Sequence, residues 1–159
     1  MADANLRTSV ENARASLQEH HKTLVGVVAR AYERQYGTLA GSGQLLHLLA
    51  HDEFFAWLRP ISELIVALDD LLDVAEPIQQ ADAAAVRAEI EETVDKGPGA
   101  FRDRYVTLLQ EEPEVALSHG QLRRAIASLP ASAREDVAAL LHMRHKWAAA
   151  RRKRRGPGA

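Results

Sequence analysis

No cysteine occurs in the 159-residue chain. That excludes disulfides, thiolate nucleophiles and cysteine-ligated metals or clusters. Aromatic residues are scarce, at 5%, so Ala, Leu and Val must fill the core, and alanine-rich helices can approach one another closely. No run of about 20 apolar residues exists, which argues against a membrane-spanning helix. Strand signals are missing as well: there is no alternating β-branched run and no Asn-Gly turn. The N-terminal MADANLRTSVEN lacks the apolar core of a secretory signal, so a cytoplasmic location is the expectation.

What is present is a helical pattern. Apolar residues make up 47% of the chain, and the length is that of one ordinary domain. The densest apolar stretch is Leu45 to Leu72, which carries Phe54, Phe55 and Trp57. Phe55, Leu58, Ile61, Leu64, Ile65, Leu68, Leu71 and Leu72 recur mostly at steps of three and four, the spacing of one helical face. Leu46, Phe54, Trp57 and Val66 widen that face, so the segment is expected to be central. Two breaks divide it. Asp52 can cap a helix start, and Pro60 disfavours helical backbone at Arg59. Two helices or one kinked helix follow, with the bend between His51 and Pro60.

Residues 3–36 read as one long helix with the seam Leu6, Val10, Ala13, Leu17, Leu24, Val27 and Ala31, although Gly26 weakens it. Such a helix would be roughly 50 Å long, more than a compact bundle of this size needs. Asp82 is expected to cap a helix over 83–95, and Lys96-Gly97-Pro98-Gly99 to break the chain. Phe101, Tyr105, Leu108 and Leu109 mark the next helix. Residues 113–129 allow a start at Pro113 or a capping box from Ser118 to Gln121, and poor tolerance of Gly120 in a helix interior favours the second. Ser132 and Glu135 form another capping box, opening a last helix through about Arg154. The expected fold is all-α, a single-domain bundle of about five to seven helices over residues 1–150, with a basic C-terminal tail at 151–159.

Three constellations bear on function. After Asp136, the last acidic residue, come Arg144, Lys146, Arg151, Arg152, Lys153, Arg154 and Arg155, against an acidic body. They suit contact with nucleic acid, an anionic lipid surface or an acidic protein. The same charges would also be favoured by a helix C-terminus or by pairing with the chain's own acidic body. Next, His20, His47, His51 and Glu53 offer ligands for a non-haem metal ion, since bundles build such centres from histidines and carboxylates. The chain has neither the Glu-x-x-His pairs of di-iron bundles nor a His-Glu-x-x-His zinc motif. Finally, Trp57 and Arg59 could line a ligand pocket at the helix break. Adjacent carboxylates such as Asp69-Asp70 point about 100° apart on a helix and make no acid–base couple. No phosphate loop or nucleophile elbow is present, and no catalytic residue stands out.

The chain therefore reads as a non-enzymatic helical interaction domain. Self-association is expected through a first-helix seam longer than one bundle can cover. A metal-binding bundle and a nucleic-acid-associated protein are the alternatives.

Overall fold

The spacing of Val10, Ala13, Leu17 and Leu24 produces an unbroken helix, α1, spanning Ala2–Tyr36. All four side chains are completely buried. The computed structural model describes residues 2–74, 77–97, 99–131 and 137–156, with side chains at 2–4 and 137–139 set aside. Seven further helices occur among them: α2 (Ser42–His51), α3 (Glu53–Ala56), α4 (Arg59–Val74), α5 (Gln80–Asp95), α6 (Phe101–Glu111), α7 (Pro113–Ala127) and α8 (Val137–Arg155). No strand is found among the described residues, and none of these helices is long and apolar enough to cross a membrane. The all-α single-domain bundle with a long first helix is the observed architecture.

α1 is the spine. It runs antiparallel to α4, with Arg14 bound to Asp69 (2.8 and 3.2 Å), His21 to Ser62 (2.9 Å) and Arg7 to the Leu72 carbonyl (2.8 Å). Its other side runs antiparallel to α7, where Arg30 pairs with Glu114 and His20 meets Ser118. α8 lies across α4 and α5. α4 and α7 cover the seam of α1 from Val10 to Leu24 within one chain, whereas Leu6 and Ala31 at its two ends stay partly exposed.

The central stretch breaks as its residues dictate. Asp52 Oδ1 accepts the Phe54 N–H at 2.8 Å and starts α3. Pro60 sits in the first turn of α4, where its missing N–H costs nothing. Phe55, Leu58, Ile61, Leu64, Leu68 and Leu71 are buried, each contributing about 1.5–3 kcal/mol.

Two helix starts differ from expectation. α5 begins at Gln80, with Asp82 already inside its first turn accepting the Gln79 N–H. α7 begins at Pro113, so the start favoured at Ser118 is wrong. Ser118 donates its hydroxyl proton to the Val115 carbonyl (3.1 Å) instead of capping. The expected box at Ser132 and Glu135 lies outside the described residues.

Glycine is required at Gly97. Its φ is +20°, and an added Cβ would lie 2.1 Å from the Phe101 ring. Gly26 and Gly120 are different: each lies inside a helix, and a Cβ would meet nothing closer than Arg30 at 3.9 Å. Gly26→Ala and Gly120→Ala should therefore each stabilise the protein by about 1 kcal/mol. Urea midpoints test this, and a loss of stability in either variant would show a constraint on the glycine that the packing lacks.

Candidate functional site

Mid-bundle, His20 of α1 is completely buried, and both its ring nitrogens are engaged. Nδ1 lies 2.7 Å from Ser118 Oγ and Nε2 lies 2.6 Å from the Tyr105 hydroxyl. The Tyr105 oxygen also lies 2.8 Å from His119 Nδ1, and Arg123 Nε donates to His119 Nε2 at 3.4 Å. Arg123 in turn pairs with Asp95.

The ends of this chain fix its direction. Arg123 only donates, so His119 Nε2 must accept and its Nδ1–H donates to Tyr105. The Tyr105 hydroxyl then donates to His20 Nε2, and His20 Nδ1–H donates to Ser118. Ser118 passes its own proton to the Val115 carbonyl. Each hydroxyl and each imidazole in the chain then donates once and accepts once, with both imidazoles neutral. Burial lowers the His20 pKa to about 4, helped by His119 and His21. Burial also lowers His119, with Arg123 adding to the shift, and pushes the Tyr105 phenol up. His20 is completely buried and Ser118 nearly so, and their hydrogen bonds with Tyr105 and His119 tie α1, α6 and α7 together.

Two turns further along α1, a groove of about 390 Å³ opens between α1 and α6, floored from the side by α3. Val27, Val28, Ala31, Phe54, Trp57 and Leu108 supply apolar surface. Arg34 stands on the α1 wall. The α6 wall carries Asp103, Arg104, Thr107 and Glu111, followed by Glu112, and is net acidic. Neither Arg34 nor Arg104 has an ion-pair partner among the described residues, and the Trp57 indole N–H has no hydrogen-bond partner there. The aromatic surface continues past the groove: Tyr32 and Phe54 meet edge to face at 5.5 Å, and Tyr36, 60% exposed, packs on both.

Trp57 thus lines a cavity, whereas Arg59 does not. Arg59 is exposed and donates to the Ala50 carbonyl at 3.1 Å. Phe54, Arg34 and Arg104 were missed as site residues. Only the placement of α6 beside α1, which periodicity does not report, brings them together. By pattern alone Tyr105 fits a core aromatic and Ser118 a cap, and the sequence carries no signal that one hydrogen-bonded chain joins them.

The basic segment is largely paired within the chain. Arg144 pairs with Glu89; Arg151 with Asp70 (2.5 Å) and Asp73 (2.9 Å); Arg155 with Asp73 (3.9 Å). Arg154 donates to the Asp73 carbonyl. The helix continues unbroken to Arg155, so the boundary drawn at residue 150 falls inside α8. Lys146, Arg152 and Lys153 are exposed and have no ion-pair partner among the described residues. The four proposed metal ligands do not converge on one centre, although His47 and His51 lie side by side. His20 is engaged as above, while His47, His51 and Glu53 are exposed on α2 and α3. Among the described residues no group of three or more His, Asp or Glu is placed to hold a metal ion.

Compared with family models, curated proteins and solved structures, the chain has no match in any of the three.

Proposed function

We propose that the protein is a non-enzymatic binding module whose groove between α1, α3 and α6 takes a short amphipathic helix of a partner protein. The observation that carries the reading is an apolar floor between walls of unlike charge. Arg34 stands on one wall, and Asp103, Glu111 and Glu112 outweigh Arg104 on the other. A helix laid in the groove would point apolar side chains at successive turns into Val27, Ala31, Trp57 and Leu108. Acidic residues on one of its edges would meet Arg34, and basic residues on the other would meet the α6 carboxylates, which sets its direction. Tyr, Trp and Arg are the residues that dominate such contacts, and this groove exposes all three types in and beside it.

Displayed helical-peptide selection tests the reading, with wild-type protein as bait and Ala31→Arg as the counter-bait. Ala31 is half-buried in the groove floor, so an arginine side chain there occupies the groove. Enriched peptides should carry apolar residues at helical spacing with acidic and basic edges. They should bind Ala31→Arg at least about tenfold more weakly. Peptides that bind both proteins equally, or no enrichment of helical patterns, would contradict it.

Contact with nucleic acid or an acidic protein through α8 would rest on Lys146, Arg152 and Lys153 alone. No observation favours it over the groove.

A further inference from the structure

Of the seven histidines, His20, His21 and His119 are hydrogen-bonded inside the bundle. The other four form two exposed pairs, His47 with His51 on α2 and His142 with His145 on α8. The pairs differ. His47 and His51 are four residues apart, and their ring centres lie 4.8 Å apart at 57°. Three-residue spacing leaves His142 and His145 without a ring contact among the described residues.

We propose that His47 and His51 form a two-point site for a divalent transition-metal ion of the zinc, nickel or copper class. Imidazole suits these ions. A metal about 2.0–2.1 Å from each nitrogen lies about 3.2 Å from each ring centre, so rings 4.8 Å apart subtend about 97° at it, between square-planar and tetrahedral. Neither ring has another hydrogen-bond partner among the described residues, so binding breaks nothing. His51 is the last residue of α2, where the helix presents its carbonyl end and favours a positive charge. The two remaining coordination positions are open to water, which makes this an exchangeable surface site and not a closed structural one. Linking successive turns of α2, the ion would stabilise a helix that buries only Leu48.

Titration calorimetry of tag-free protein with zinc chloride and with nickel chloride tests the proposal. Wild type should bind about one ion per chain in the tightest step, and ligand binding to the native state should raise the melting temperature. His47→Ala and His51→Ala, both on an exposed face, should each weaken that step about tenfold or more, because losing one of two imidazoles removes the chelate advantage. The His142→Ala/His145→Ala double variant should keep it. Equal binding by wild type and His47→Ala/His51→Ala overturns the site, as does loss of the tight step in the α8 double variant.

Discussion

Acidification from pH 6.5 to pH 4 should remove about 3 kcal/mol of stability through His20 alone. The folded-state pKa of His20 is lowered to about 4 from 6.5. Between those values the unfolded chain holds a proton on this ring and the native protein does not. Stability is therefore complete above pH 6.5, falls as pH drops through the window, and levels off near the folded pKa. Burial sets the sign, and the groups facing the ring do not oppose it. From α1 comes His21, from α6 Tyr105, and from α7 Ser118 and His119, with Arg123 and Asp95 at the far end of the relay. None of these direct neighbours is a carboxylate that could hold an imidazolium. His119 and His21 are shifted in the same direction, so they add to the slope. Urea titrations at steps between pH 7 and pH 4 read the loss. His20→Gln keeps one amide for the relay and has no proton to take up. It should be less stable at pH 7 by about 2 kcal/mol, from a buried partner left unmet, and lose less on acidification. Parallel pH profiles for wild type and His20→Gln would contradict the assignment.

Arg144→Met should cost about 3 kcal/mol at pH 7, because it leaves a buried carboxylate alone. Glu89 is 5% exposed, and Arg144 is its ion-pair partner. Burial raises the Glu89 pKa, and the guanidinium pulls part of that shift back. A carboxyl whose folded pKa is raised takes a proton more readily in the native protein than in the unfolded chain. Its stabilising contribution is present at low pH and is lost as pH rises through the folded value. Without Arg144 the shift grows, so the deficit of Arg144→Met should be larger at pH 7 than at pH 5. Arg152→Met and Lys153→Met touch no buried partner and should change stability by less than about 0.5 kcal/mol. Melting curves of the three variants at both pH values decide this. Equal costs for all three would mean that α8 is held by its charge as a whole, not by the Glu89 pair.

How far residue patterns reach is visible element by element. Spacing of three and four placed α1, α4 and α6, because each buries one stripe against a neighbour. Asp52 and Pro60 gave the breaks of the central stretch, because both act within a single turn. Failure came where a residue had two physical uses. Ser118 suits a cap and a helix interior equally well until His20 arrives from α1, 98 residues away in sequence. Arg151 reads as tail charge until Asp70 is set beside it. The groove lies between α1 and α6, which are separated in sequence by four helices, so no local pattern announced it.

The most direct test of the groove is amide and indole chemical-shift mapping on isotope-labelled protein titrated with the peptide from the display selection. Perturbations should cluster at Val27, Ala31, Phe54, Trp57, Arg104 and Leu108, with the Trp57 indole among the largest and Ala31→Arg abolishing them. Shifts that gather on the exposed face of α8 around Lys146, Arg152 and Lys153, with the Trp57 indole unmoved, would contradict the groove as the binding surface.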